Sequence, residues 1–206
     1  MKGTKEKILQ TALKLFNRDG LSKVTLRVIA GEMGISQGNL NYHYKKREQI
    51  IEALYEQLVT TIDHALSAEK EKKMTLASLL RITTIIMDSF YQYRFFFLDF
   101  VQIMRSHERI KLHYLKLSEQ RRREFMTIFH KLIGEKIFRP EQLPDEYTHL
   151  YQRIQVCGDF WISSAEVVNG RITSGVMSHY KQVITETIYP YLTNKGRKEY
   201  HLILEN

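Results

Sequence analysis

The sequence predicts an all-α protein: an N-terminal three-helix helix-turn-helix domain joined by a long helix to a C-terminal helical domain. Three observations carry the prediction. Apolar residues recur at three- and four-residue spacing through most of the chain, and no stretch shows the strict alternation of a half-buried strand. There are three prolines in 206 residues, and Pro140 and Pro144 bracket a single loop. The hydrophobic fraction of 43% suffices for one sizeable core or two small ones.

The elements follow in order. Ile8, Leu9, Ala12, Leu13, Leu15 and Phe16 stripe a first helix from about Thr4 to Arg18, which Asp19-Gly20 ends. Thr25 caps a second helix carrying Leu26, Ile29, Ala30 and Met33 inward, and Gly34 stops it, with Ile35 placed for burial under the turn. Ser36 caps a short third helix with Leu40 and Tyr44 inward and Gln37, Gly38, Asn39, Asn41, Tyr42 and His43 elsewhere. A helix this polar has little to bury and is built to touch something. A fourth helix starts near Lys46 and runs through Ile50, Ile51, Leu54, Leu58, Val59, Ile62 and Leu66, bracing a reader too small to be stable alone. The run Glu69 to Lys73 reads as a solvated helix end or linker.

Beyond Thr75, helices are expected at about 76–91, 95–105 and 108–137, with Phe95-Phe96-Phe97-Leu98 buried on several sides. Asp145 is expected to cap a helix to about Val168, ended by Asn169-Gly170, and Ser174 or Gly175 opens a last helix to about Leu192. The domains are then 1–48 (the helix-turn-helix), 49–194 (the larger helical domain) and 195–206 (a loose tail).

Charge and composition narrow the function. Net charge is +8, and residues 1–50 hold ten Lys and Arg against four Asp and Glu, the surplus a phosphate-binding surface requires. A second basic zone around Arg121-Arg122-Arg123 reads as a solvated helix face. No apolar run approaches the ~20 residues of a membrane span, the start lacks a signal-type apolar region, and the single Cys157 excludes an internal disulfide, so a cytoplasmic protein is expected. His107 and His113 are six apart and Cys157 has no ligand near it, so neither a metal site nor a cofactor is expected. Without a nucleophile elbow, a phosphate loop or a paired-carboxylate motif, the chain is not read as an enzyme.

The ordered letters Thr25, Ile29, Ala30, Gly34, Ser36, Gly38, Leu40, His43, Tyr44, Arg47 and Glu48 resemble the TetR/AcrR family of bacterial transcriptional regulators over about residues 4–55. Asn41 stands where that family usually has a tyrosine, Tyr44 replaces a phenylalanine and Arg47 a lysine, while Lys45 and Lys46 add charge at a helix start. From side-chain chemistry together with the resemblance, Thr25, Ser36, Tyr42, His43, Lys45 and Lys46 hold DNA phosphates. Gln37 and Asn39 read base edges, Arg27 reaches phosphate or base, Gly38 allows close approach, and Asn41 lies on the same face. Tyr44 is assigned to the small core instead.

The resemblance further implies that residues past about 50 dimerise and hold a small-molecule effector, making a homodimeric repressor of a near-palindromic double-stranded operator. One short reading helix covers too few base pairs, which independently asks for two copies. Tyr151, Ile154, Val183, Ile184 and Ile188 are candidates for the dimer interface, as apolar positions beyond what one packed face uses. Phe90, Phe97, Val101, Met104, Tyr114, Phe129, Gln155, Asp159 and Trp161 are candidates for the effector pocket, with Gln155 and Asp159 one turn apart as polar anchors. The alternative is a DNA-binding regulator whose helical domain answers to a protein partner or to no ligand.

Overall fold

The computed structural model describes residues 3–205 apart from 71–73. The described helices are α1 (Thr4–Asp19), α2 (Leu26–Glu32), α3 (Gln37–His43), α4 (Arg47–Lys70), α5 (Leu76–Gln92), α6 (Arg94–Leu98), α7 (Phe100–Ser106), α8 (Glu108–Gly134), α9 (Glu146–Asn169), α10 (Ser174–Glu186) and α11 (Asn194–Leu204). A 3-10 turn, Tyr189–Tyr191, lies between the last two. Phe138 and Leu192 form an isolated bridge, and the described residues contain no strand. None of their helices is long and apolar enough to cross a membrane.

The chain divides into two units, the first comprising Met1–Thr61 and Ser89–Lys111. Its core joins Ile8, Ala12, Leu15 and Phe16 of α1 to Ile29 of α2, Leu40 of α3 and Ile50 and Leu54 of α4, all nearly or fully buried. A contiguous domain ending at residue 48 was expected; the unit instead recruits a second segment. Its small core needs more apolar surface than the first 48 residues supply, and Phe95, Phe96 and Phe97 of α6 supply it. Phe16 packs on Phe95 at 5.2 Å between ring centroids, and Tyr55 stacks on Phe96 at 5.3 Å. Asn17 pins this segment: its Nδ2 donates to the Gln92 carbonyl at 2.8 Å, and its Oδ1 accepts from the Phe95 amide at 3.0 Å. The expected helix over 95–105 is broken at Asp99 (φ −107°, ψ 20°), dividing it into α6 and α7.

The second unit comprises Ile62–Asp88 and Leu112–Asn206. Leu76, Leu79, Phe125, Phe129, Leu132, Phe138, Tyr147, Leu150 and Leu192 form its core. Arg139 grips Glu146 with two nitrogens at 2.7 and 2.8 Å, and the Gln142 amide adds a third donor, which together hold the Glu146 carboxyl down at about 2.

Several local expectations are corrected here. Asp145 takes a left-handed conformation (φ 58°) and its side chain caps nothing; the Tyr147 amide donates instead to Glu141 Oε1 at 3.0 Å. α10 stops at Glu186, because Pro190 has no amide with which to continue a helix. The tail expected to be loose forms α11, capped by Thr193 and anchored by buried Tyr200. Of the charged run at 69–73, the last three residues lie outside those described. The second basic zone is answered by acids of its own unit: Arg121 pairs with Asp63 and Glu124, and Arg122 and Arg123 pair with Glu119.

Candidate nucleic-acid interface

The helix-turn-helix is fixed by local chemistry. Thr25 Oγ1 accepts from the Val28 amide at 3.3 Å and Ser36 Oγ from the Asn39 amide at 3.2 Å, so each hydroxyl sets the first turn of its helix. Between the helices Gly34 adopts φ 65°, and the Ile35 amide returns to the Ala30 carbonyl at 3.0 Å. α4 starts with Gln49 reaching back, its Oε1 accepting from the Lys45 and Lys46 amides at 2.8 and 3.3 Å. Lys46 therefore stands at a helix entry that another residue caps. Arg47 clamps the preceding loop, donating through Nη1 to the carbonyls of Leu21 at 2.8 Å and Val24 at 3.4 Å.

These constraints leave one face open. Thr25, Arg27, Ser36, Gln37, Gly38, Asn39, Asn41, Tyr42, Lys45 and Lys46 are all exposed, and His43 is half-buried. Tyr42 is 85% exposed, its ring roughly perpendicular to that of His43 at 5.3 Å between centroids. A tyrosine that open contributes little to the core of its own unit. The inward side chains, Leu40 and Tyr44, are 0% and 4% exposed. Arrangements of this kind position amides, hydroxyls and ammonium groups for phosphates and base edges.

Gly38 separates the demands of the fold from those of a partner. A β-carbon added there would meet nothing closer than Ser36 Oγ at 3.9 Å. We expect Gly38→Ala to leave the melting temperature unchanged or raised, since alanine favours helix by up to ~1 kcal/mol. DNA affinity measured by fluorescence anisotropy should fall about tenfold, because the lost clearance faces outward. Unchanged affinity would remove close approach at Gly38 from the account.

The pocket candidates fall into both units. In the first, Phe90 lies 4.1 Å from Phe97 ring to ring, Met104 is half-buried and Val101 is 46% exposed. In the second, Tyr114, Gln155 and Asp159 come together: Tyr114 OH donates to Asp159 Oδ2 at 2.5 Å, while Gln155 Nε2 donates to Tyr114 OH at 3.2 Å and to Ser118 Oγ at 2.6 Å. Burial pushes the Asp159 carboxyl up to about 6 and the Tyr114 hydroxyl well above its usual range. Phe129 is fully buried in the apolar core, and Trp161 is buried with its ring 5.6 Å from that of Tyr180.

Among the interface candidates, Tyr151, Ile184 and Ile188 are buried in the second unit. Tyr151 also donates to the Ser118 carbonyl at 3.2 Å. Ile154 is half-buried and Val183 is 42% exposed. Sequence reasoning missed the apolar face that α9 does present, where Val156, Phe160, Val167 and Val168 are 60%, 43%, 85% and 73% exposed. The signal was available in the spacing: 156, 160 and 167 share a helix face opposite to 147, 151, 154 and 165. Ser118, also missed, lies one turn beyond Tyr114 on α8.

Both parts of the chain match known families. The family described as "Bacterial regulatory proteins, tetR family" matches residues 8–54, and "Bacterial transcriptional repressor" matches residues 54–200. Among curated proteins, the nucleoid occlusion factor SlmA of Actinobacillus pleuropneumoniae is 29% identical over 82 residues, covering 39% of this chain and 41% of the relative. The class C tetracycline repressor of Escherichia coli is 33% identical over 67 residues, covering 32% and 30%. This chain thus spans well under half the length of these curated relatives. Among solved structures, a TetR-family transcriptional regulator from Marinobacter aquaeolei superimposes with a TM-score of 0.86 at 24% identity, covering 99% and 98% of the two chains. A Saccharomonospora viridis protein assigned as a transcriptional regulator, crystallised with choline, gives 0.69 at 18% identity, covering 91% and 96%. An exposed helix-turn-helix whose two helices are each set by a hydroxyl cap, in a chain matched along nearly its whole length, leads to one conclusion: this protein belongs to the TetR family of DNA-binding transcriptional regulators.

Proposed function

We propose that the chain is a cytoplasmic homodimeric repressor that holds a near-palindromic operator with α3 and is released from it by a small-molecule effector. The observation that carries the reading is the exposed face of α3 with its flanking caps and lysines, which spends almost nothing on its own core. Thr25, Ser36, Tyr42, His43, Lys45 and Lys46 are assigned to phosphates and Gln37 and Asn39 to bases, with Arg27, Gly38 and Asn41 beside them. The Tyr114–Asp159–Gln155 cluster supports an effector, since a half-buried carboxylate and a carboxamide give a ligand directional partners. The choline complex of the Saccharomonospora viridis protein is consistent with a ligand in this fold.

One observation favours the second reading, in which the helical domain answers to a protein or to nothing. The void lined by Leu79, Phe125, Phe129, Ile154, Ile184 and Ile188 holds about 10 Å³, too little for an effector. Selecting bound fragments from random DNA and then screening metabolites for release separates the readings. Release by a metabolite supports the first, and retention across the screen with release by a protein fraction supports the second.

The same operator tests the residue roles. Lys46→Ala should weaken specific and random DNA about equally, by roughly tenfold, and reduce the salt slope by about one. Asn39→Ala should instead lower operator affinity by about 1–3 kcal/mol and relax preference at particular base pairs. Equal losses on both DNAs for Asn39→Ala would end its assignment as a base reader.

A further inference from the structure

A groove of about 560 Å³ opens in the first unit between α1 and α4, with Tyr44 and Tyr93 at its sides. Leu9, Leu13 and Ala53 give it an apolar floor, and Glu6 and Glu56 line it with carboxylates. On the α4 wall Glu56 shares the guanidinium of Arg109 with Glu52, at 2.8 and 3.2 Å, so two acids are answered there by one base. The Thr60 and Thr61 hydroxyls, also on this wall, are turned to carbonyls of their own helix at 2.8 and 2.9 Å.

Two features mark the groove as a place for a ligand. Tyr44 is 4% exposed, and its hydroxyl is buried without a hydrogen-bond partner. Phenylalanine would fill the same space without that cost. The Tyr44 ring is also covered by a cation from the chain itself, Lys5 Nζ, 5.4 Å from the ring centroid. Lys5 is exposed and sits at the groove lining, so its ammonium is a tethered occupant that a free one can displace.

We propose that this groove binds a primary alkylammonium. Its N–H groups donate to the Tyr44 hydroxyl oxygen and to the Glu6 and Glu56 carboxylates, and its chain lies on Leu9, Leu13 and Ala53. The ammonium reaches the Tyr44 hydroxyl once the Lys5 side chain, whose own ammonium lies over the ring without bonding that hydroxyl, is displaced. The site belongs to the DNA-reading unit and is separate from the Tyr114–Asp159–Gln155 cluster of the second unit.

The test uses the full chain and hexylammonium chloride, with sodium hexanoate as the probe of opposite charge, followed by calorimetry. Hexylammonium should bind with a dissociation constant of roughly a millimolar and hexanoate at least about tenfold more weakly. Gln10→Trp, at an exposed lining position, should abolish binding by filling the groove, and Lys5→Ala should tighten it about threefold by removing the competitor. Tyr44→Phe should weaken hexylammonium about tenfold while raising the unfolding midpoint of the unliganded protein. Equal binding of hexanoate overturns the cation assignment, and hexylammonium binding that survives Gln10→Trp overturns the site. A lower midpoint in Tyr44→Phe overturns the role of its hydroxyl.

Discussion

Replacing both Phe160 and Val167 by glutamate is expected to yield a folded monomer whose operator affinity is about a thousandfold below that of the parent. The two residues are 43% and 85% exposed and lie seven positions apart on α9, hence on one face. The opposite face already packs Tyr147, Leu150, Tyr151, Trp161, Ile162 and Ala165, so the substitutions leave the interior intact. In the proposed homodimer, with this face of α9 taken as the interface, like charges brought against their copies on a partner helix cannot be desolvated, and the pair separates. Each protomer then meets the operator through one half-site, and the loss of linked binding accounts for the magnitude. Light scattering gives the mass, circular dichroism the folding and anisotropy the affinity. A folded double variant that remains a dimer would falsify the placement of the interface on this face.

The second large effect concerns α11. Gly196→Ala should lower stability by about 3 kcal/mol, which for a chain of this size is a fall of roughly 6–12 °C in melting temperature. An added β-carbon would lie 2.3 Å from the Ile137 carbonyl oxygen and 3.2 Å from its carbon. That carbonyl cannot yield cheaply, because it accepts from the Thr193 amide at 3.0 Å while Thr193 Oγ1 is bonded to the neighbouring Lys136 carbonyl at 2.6 Å. The strain can alternatively be relieved by undocking α11, which hydrogen exchange at residues 194–204 would register. An unchanged midpoint with unchanged protection would show that the close approach is not required.

How much of this was legible in the sequence varies with the range of the physics. The caps at Thr25 and Ser36, the stop at Gly34 and the inward Leu40 and Tyr44 were readable because each depends on residues within one or two turns. The bracing of the reader by Phe95, Phe96 and Phe97 was not, because the contact of Phe16 with Phe95 joins positions about eighty apart that no local pattern couples. Asn17 is a similar case: its amide looks like an ordinary helix-end residue until both its atoms are seen engaging the α5–α6 junction. α11 was missed for the opposite reason, since Asn194-Lys195-Gly196 reads as chain-end punctuation, whereas Thr193 makes it a capped start and Gly196 a point of contact. Tyr151, Ile184 and Ile188 were legible as apolar but not as interior or exterior, a question periodicity leaves open when a helix is apolar on more than one side.

The hydroxyls of Thr25 and Ser36 carry a consequence beyond capping. Each oxygen accepts an amide of its own helix, which leaves the hydroxyl proton itself available for donation, in the proposed complex to a phosphate. In the proposed complex, the Ser36 oxygen that sets the first turn of α3 would also gauge the distance of that helix from the DNA strand. Position along the chain and position on the duplex would then share one origin, leaving no slack between the phase of the helix and the phase of the groove it enters.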